Sequence, residues 1–437
     1  INCKTAILMK KKELNLLFCL LLLFSCSSSQ KKEEEDGSRA IYKEISYPLT
    51  VNLKACMDTP LDNIKLSSFV EDICYVPLQT DEDTYLNGLL GIDFDEESSC
   101  FLISDIHNVF VVDTLGRYIS KIGRIGQGPG EYKQIANMTV NMVDKHIYIN
   151  TCYKHNVITY DYNGKVINES PSNVDMFTGY IFYYDHALWG VGSAYTSRAM
   201  RVKGKRRFYG YALLDSLCKR TSLQTACPMD KIGEMEGLEA FLTPPCVSVC
   251  GKIILLAQNN GAPSDTIYTI QNKKFVPRYL LNYGSHRPDI TKIWSKDRDN
   301  AKYNSYLTMS PAYETDRFFF IENLFRNKYY IVVYDKYTEK NFSIPMYSLG
   351  KEGQHWVKGL ENDIDGGFPF YPQSVSSDGT YWLTYMKVPD MKELLTEEYF
   401  VAHSNILDKK KQDELKAIIA KADEEANPIL VLLKLKK

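Results

Sequence analysis

The side chains able to do chemistry in this 437-residue chain are scattered histidines, a set of cysteines, many carboxylates and one glycine-rich loop. Histidine stands at 107, 146, 155, 186, 286, 355 and 403. No His-Glu-x-x-His pair or His/Cys cluster of zinc-ligand spacing occurs, so no metal site is expected. Beyond residue 26 the cysteines are Cys56, Cys74, Cys100, Cys152, Cys218, Cys227, Cys246 and Cys250, with no Cys-x-x-Cys among them. Cys246 and Cys250 lie in Cys-Val-Ser-Val-Cys, which reads as a strand. At ~3.3 Å per residue that places them roughly 13 Å apart, too far for a disulfide. These cysteines are expected to pack as small apolar side chains. Gly126-Gln127-Gly128-Pro129-Gly130 resembles a phosphate loop only in glycine content. Pro129 and the missing Lys-Ser/Thr ending make it a turn. There is no Gly-x-Ser-x-Gly elbow or dinucleotide fingerprint, and no cofactor is predicted.

Composition narrows the classes further. The chain is 44% hydrophobic and 24% charged with a formal net charge of -2, and its mean hydropathy is -0.28. That describes a folded chain, neither disordered nor polytopic, with no electrostatic footprint for nucleic acid. Tyr (31) outnumbers Phe (19) and Trp (4), a bias that suits half-buried strands.

The N-terminal segment reads as an address. Lys10-Lys11-Lys12-Glu13 precedes an apolar run from Leu14 to Phe24 interrupted only by Asn15, then Ser25-Cys26. This is the form of a signal peptide, and it is too short for the ~20 apolar residues of a spanning helix. The sequence opens on Ile1, and Met9 is read as the natural start. Residues 1–25 are accordingly set aside as upstream residues and signal. Residues 26–40 (Cys-Ser-Ser-Ser-Gln-Lys-Lys-Glu-Glu-Glu-Asp-Gly-Ser-Arg-Ala) are a polar tether with almost nothing to bury.

From residue 86 onward, short β-type runs separated by turn residues recur. The first unit has Gly88–Phe94, Cys100–Ser104, Val109–Val112 and Tyr118–Ile122. The second has Ile135–Met142, His146–Asn150, Val157–Tyr160 and Lys165–Asn168. Their third turns align as Asp113-Thr114-Leu115-Gly116 and Asp161-Tyr162-Asn163-Gly164. Further units fall at about 178–225, 243–282 and 311–345. A sixth begins near Phe370, continues through Tyr381–Tyr385 and finishes at Ile429–Leu435, interrupted by a helical insertion at about 391–424. A repeat of four-stranded meanders predicts an all-β fold: a six-bladed β-propeller over 41–437. Paired β-sandwiches are the alternative, and the recurring Asp-x-x-Gly turn favours the propeller. The sixth blade lacks strands, so Ile45–Leu53 and Ile73–Leu78 are the expected donors, closing the ring with strands from both termini.

Arg124-Ile125-Gly126-Gln127-Gly128-Pro129-Gly130-Glu131-Tyr132 resembles the Gly-x-Gly-Pro-Gly-Glu-Tyr/Phe signature of six-bladed β-propeller lipoproteins of Bacteroidota, a family similar to NHL-repeat propellers. Asp265-Thr266-Ile267-Tyr268, Asn362-Asp363-Ile364-Asp365-Gly366-Gly367 and Asn427-Pro428-Ile429-Leu430 extend the match over nearly the whole chain. Leu23-Phe24-Ser25-Cys26 resembles a lipobox, which implies acylation of Cys26 and a place in the cell envelope as an outer-membrane lipoprotein. The acidic run beyond it resembles a surface-export signal. The resemblance implies the fold and no molecular activity.

In a propeller, the loops between second and third strands share a face with the crossings between blades. Asp105, His107 and Asn108, Tyr153, Lys154 and His155, Asn259 and Asn260, and Glu322, Asn323 and Arg326 are expected on that face. So are Arg124, Gln127, Glu131 and Tyr132. These residues form the candidate binding face, with the duller reading that Asp105 and Asn108 close their own turn and that Glu131-Tyr132 lock adjacent blades. Carboxylates and histidines at a channel mouth could act as base and orienting partner, but no spacing pairs them. The expected function is a lipid-anchored, non-enzymatic binding or scaffolding module for a protein, peptide or glycan. The alternative is a propeller lyase or hydrolase with a channel-mouth site, aided by a metal.

Overall fold

A single turn, repeated, organises the strands of this protein, whose structure is a computed structural model. It describes residues 45–171, 180–191, 201–202, 205–206, 211–224, 246–250, 253–259, 263–287, 308–348 and 359–436, apart from 62, 87, 216–217, 327, 371–373 and 377–378. In the turn of the first repeat, Asp113 Oδ1 accepts the Leu115 and Arg117 N–H groups (2.8 and 3.0 Å). In the second, Asp161 Oδ1 accepts those of Asn163 and Lys165 (both 2.9 Å). Gly116 and Gly164 both take φ +81°, the left-handed region open to glycine. A Cβ on Gly164 would stand 2.8 Å from the Lys121 carbonyl oxygen, and one on Gly116 would collide with that of Pro77. Each of these carbonyls ends the outer strand of the preceding blade, so the repeated Asp-x-x-Gly is both a turn and a contact between blades. In the third repeat, Asp215 accepts from Lys219 N–H in the same way (2.8 Å), and Cys218 takes the left-handed position at φ +57°.

Between these turns the strands build six antiparallel meanders. Blade 1 is Gly91–Asp95, Cys100–Ser104, Val109–Asp113 and Tyr118–Lys121; blade 2 is Ile135–Asn141, His146–Thr151, Val157–Asp161 and Val166–Glu169. Blade 3 runs from Tyr180 to Gln224, blade 4 from Cys246 to Leu281 and blade 5 from Thr308 to Ser348. Blade 6 takes Ser374–Val375, Tyr381–Met386 and Ile429–Leu435, and its outer strand is β2 (Val70–Pro77). The fold is a six-bladed β-propeller. All five residues of Cys100–Ser104 are buried, because both faces of the strand meet a neighbouring blade. Phe101 and Ile103 pack with Tyr381, Leu383 and Leu432 of blade 6. Cys100 and Leu102 pack with Ile147 and Ile149 of blade 2. Each such side chain contributes about 1.5–3 kcal/mol on burial.

The two expected N-terminal donors part company. Ile73–Leu78 falls in β2, which pairs with the last strand from Val70↔Leu435 to Pro77↔Ile429 and closes the ring as anticipated. The other segment is shorter than Ile45–Leu53 and joins blade 4: β1 (Leu49–Val51) runs parallel to the outer strand there, with Leu49 opposite Tyr279 and Val51 opposite Leu281. The chain between them straps blade 5. Helix α1 (Leu53–Asp58) is held where Ser343 Oγ donates to the Cys56 carbonyl (2.7 Å), and Leu61 N–H donates to the Ser343 carbonyl (2.8 Å). Before β1, Tyr47 caps a buried charge cluster. Glu314 receives Arg278 and Lys336 at 2.6 and 2.7 Å, and the Arg278 guanidinium lies 3.9 Å from the Tyr47 ring centre.

The helical insertion spans 388–421, between the second and third strands of blade 6. Its helices are α2 (Val388–Leu394), α3 (Glu397–Ala402) and α4 (Lys409–Lys421). Pro389 sits in the first turn of α2, Thr396 caps α3 by accepting Tyr399 N–H (3.2 Å), and Asp408 caps α4 by accepting Lys411 N–H (3.1 Å). Val388, Met391, Leu395, Phe400 and Leu415 bury a small core against Ile429.

Gly116→Ala is expected to destabilise the protein by about 2 kcal/mol or more, from backbone strain and the clash with Pro77. Gly164→Ala should cost less. Urea unfolding of both variants beside the wild type measures this, and an unchanged midpoint for Gly116→Ala would contradict the packing of the turn.

Candidate functional site

The insertion lies between second and third strands, so it shares a face with the blade-to-blade crossings, and the candidate residues can be traced there one by one. The glycine-rich crossing from blade 1 to blade 2 folds on itself. Arg124-Ile125 pairs in parallel with Glu131-Tyr132. The Glu131 carboxylate accepts Gly128 N–H (2.8 Å) and Arg124 Nε (2.6 Å), and these bonds hold it below the usual carboxylate range. Lys154 donates to the Gly128 and Glu131 carbonyls (2.8 and 3.2 Å) and pairs with Glu169 (3.4 Å). Glu169 also accepts Gly130 N–H (2.6 Å) and Asn156 Nδ2 (2.8 Å). Tyr132 is buried, donates to the Ile122 carbonyl (2.6 Å), and burial raises its hydroxyl above the ordinary tyrosine range. Tyr160 reaches the Gly130 carbonyl (2.8 Å). Tyr132, Lys154, Tyr160 and Glu169 thus fasten the crossing to the two blades, while Arg124 and Glu131 brace the loop from within.

The other candidates are satisfied locally or stand at the surface. Asp105 is buried and accepts the His107 and Asn108 N–H groups, both at 2.6 Å, closing its own turn. His107 Nδ1 lies 3.1 Å from the Lys133 carbonyl oxygen, a second tie between that turn and the crossing. His155 occupies a left-handed turn position at φ +49° and is exposed, as are Gln127 and Tyr153. Lys133 reaches over the Tyr153 ring at 5.7 Å. Arg326 is in a left-handed turn at φ +50°, its guanidinium 4.8 Å from the Phe325 ring. Glu322 and Asn323 do not occupy a loop. Pairing runs unbroken from Phe318↔Asp335 to Phe325↔Lys328, which sets Glu322 mid-strand opposite Ile331. Asn259 ends the second strand of blade 4, while its side chain, Asn260 and Cys26 lie outside the described residues. Among the described residues, no three His, Cys, Asp or Glu side chains converge as a metal site.

Sequence reasoning expected a central channel but named none of the side chains that line it. The inner strands enclose a cavity of about 440 Å³ whose lining includes Asp93, Asn137, Met138, Tyr180, Tyr313 and Tyr385. Asn137 belongs to the wall more than to the space: its amide donates to the Ile181 carbonyl (2.6 Å) and accepts Ile181 N–H (3.1 Å), joining blades 2 and 3. Leu90 and Tyr180 also line the cavity, and they are 55% and 37% exposed at its rim. The usable signal was position, since each of these side chains lies on, or at the start of, a blade's inner strand or on the strand next to it.

Among the described residues, exposed large apolar side chains are unevenly shared between the two faces, apart from Ile119, Val166, Ile167 and Leu280 on outer strands and Leu61 in the strap. The insertion-bearing face shows Leu90, Ile106, Tyr153, Tyr180, Val401 and Leu407, together with Tyr85 and Ile125. The opposite face shows Leu115, Val143 and Tyr337.

Comparison with known proteins fits this architecture. A family model described as "Domain of unknown function (DUF4934)" matches residues 48–434. Among solved structures, the chain is similar to a putative exported protein of Bacteroides fragilis, with 17% identity, a TM-score of 0.61, and 86% of this chain and 98% of that one covered. It also matches a member of the DUF4221 family from Bacteroides vulgatus at 11% identity and a TM-score of 0.48, covering 84% and 97% of the two chains. A search of curated proteins finds no match.

If Lys154 is a fastener, Lys154→Met removes one donor from each of two carbonyls and a carboxylate and should cost about 1 kcal/mol. Chemical denaturation would show this loss. A variant of wild-type stability would contradict the fastening role.

Proposed function

The chain belongs to the DUF4934 family, and from that premise we propose that it is a lipid-anchored envelope protein that binds a protein partner through the insertion-bearing face of its propeller. The observation that carries the binding reading is the uneven display of apolar side chains. Aliphatic and tyrosine side chains, exposed together around a channel mouth and rimmed by polar loops, have the composition of a protein-binding patch. The polar residues of the same face support this reading from the other side, since Glu131, Lys154, Asp105 and Asn137 are spent on contacts between blades and within turns.

The anchor rests on Leu23-Phe24-Ser25-Cys26 and the polar tether behind it. No helix among the described residues is long and apolar enough to cross a membrane, and acyl chains at ~0.8 kcal/mol per buried CH₂ would supply attachment. An envelope location accords with the exported character ascribed to the Bacteroides fragilis neighbour.

Two measurements test the two halves. Fatty-acid labelling in cells should tag the wild type and not Cys26→Ala; equal labelling would refute the anchor at that residue. Co-purification of a partner from detergent-solubilised envelopes should be lost with Ile106→Ser plus Tyr153→Ser and retained with Leu115→Ser plus Val143→Ser on the opposite face. The reverse pattern would overturn the proposed face.

A further inference from the structure

We propose that Asp365 is a proton-linked latch, holding the helical insertion against the closing blade while its carboxyl carries a proton and loosening it on ionisation. The residue lies in the crossing from blade 5 to blade 6, in Asn362-Asp363-Ile364-Asp365-Gly366-Gly367. This loop is the junction of three elements: the crossing itself, the ring-closing strand β2 and the insertion. Leu407 and Asp408 donate their N–H groups to the Asp363 and Ile364 carbonyls at 2.9 and 2.8 Å, and the Tyr399 hydroxyl of α3 donates to the Gly367 carbonyl (3.2 Å).

Asp365 has no exposed surface. Its Oδ1 accepts Asn362 Nδ2 (2.7 Å) and Gly367 N–H (2.9 Å), whereas its Oδ2 has no hydrogen-bond partner. Two further buried polar atoms at the same junction also lack one: the Tyr75 hydroxyl of β2 and Gln412 Nε2 of α4. The glycines show how close the three elements come. A Cβ on Gly367 would stand 2.8 Å from the Tyr75 hydroxyl and 3.0 Å from Asp365 Oδ1, and one on Gly366 would stand 2.9 Å from Gln412 Nε2. Buried polar groups are nearly always paired, so three such atoms at one junction need a physical reason.

A proton on Asp365 supplies one for two of them, Asp365 Oδ2 and the Tyr75 hydroxyl; Gln412 Nε2 is itself a donor and is not served by it. The neutral acid gains an O–H donor, and the nearby Tyr75 hydroxyl can accept it. The ionised form would bury a charge with no counter-ion dedicated to it. Lys411, which faces the site from α4, is committed to Asp72 (2.5 Å) and the Ile73 carbonyl (2.6 Å). Asp363, in the same loop, is turned away onto the Ser67 N–H and hydroxyl (3.0 and 2.7 Å), with Lys65 at 4.0 Å. The Tyr75 and Tyr399 phenols also face Asp365 and are neutral in the same range, and behind Tyr399 the titratable His403 ring stacks at 4.0 Å. Burial lifts the Asp365 carboxyl above the usual value, outweighing the Gly367 and Asn362 hydrogen bonds, the nearby Tyr75 hydroxyl and the Lys411 charge. The docked state therefore binds the proton more tightly than an undocked one. Docking is strongest below the ordinary carboxylate value and weakens as pH rises through the raised one, above which it levels off.

Hydrogen exchange of residues 388–421 in the full-length chain between pH 4 and pH 8, corrected for intrinsic rates, tests this. Wild-type protection of the insertion should fall with pH, by about tenfold for each unit of elevation. Asp365→Asn, neutral at every pH, should keep its protection level across the range. A wild type without pH dependence, or a variant with the same dependence, would overturn the latch. Should Asp365→Asn fail to fold, carboxyl resonances of the wild type carrying ¹³C-labelled aspartate decide. One aspartate titrating above the ordinary range and lost together with insertion protection supports the latch, and its absence overturns it.

Discussion

Everything in this molecule depends on one pairing, that of Val70–Pro77 with Ile429–Leu435. A propeller blade buries its faces only against its neighbours, so an open ring would expose two seams at once. Joining strands from the two ends of the chain removes that opening. The same pairing sets where β2 ends, and with it the Pro77 carbonyl beneath which Gly116 turns. It also brings Asn427 against the crossing from blade 6 to blade 1, where its amide accepts Leu86 N–H (2.9 Å) and donates to the Gln79 and Thr84 carbonyls (2.8 and 2.9 Å). Closure thus positions the strands of blade 1, the insertion and the channel mouth together.

Much of this was legible in the sequence because the repeat is local. Asp113–Gly116 and Asp161–Gly164 make the same turn with the same bonds, and the strands on either side followed from their apolar runs. β1 was less legible for a physical reason. Three residues in parallel on an outer edge carry no periodicity, and blade 4 needed no strand to complete it. Ile73–Leu78 could be assigned because blade 6 was visibly short. Glu322 was misplaced because a charged residue in a run of phenylalanines looks like a boundary, whereas continuous pairing to Ile331 keeps it in the strand.

The candidate site was read less well, since polar side chains on a loop give no hint of their partners. Glu131, Lys154 and Glu169 are separated in sequence and meet only when blade 2 swings against the crossing that precedes it. Their bonds turn an apparent binding loop into a fastener, the reading the glycine-rich segment had allowed. The lining of the cavity behind Leu90 and Tyr180 was hidden for the complementary reason: five blades contribute to its described part, and no short window of sequence contains them. What the face leaves exposed includes Leu90, Ile106, Tyr153, Tyr180 and Val401, the surface on which the proposed recognition rests, beside the insertion that the proposed latch at Asp365 holds.

The central claim is therefore one of sides: partners meet the insertion-bearing face of a closed ring. Amine-reactive cross-linking in intact cells, followed by mass spectrometry of the purified chain, tests it most directly. The account predicts inter-protein links from exposed lysines on the insertion-bearing side, Lys133 and Lys410. Links confined to Lys165, Lys219, Lys274 and Lys340, exposed in or beside turns of the opposite side, would contradict it.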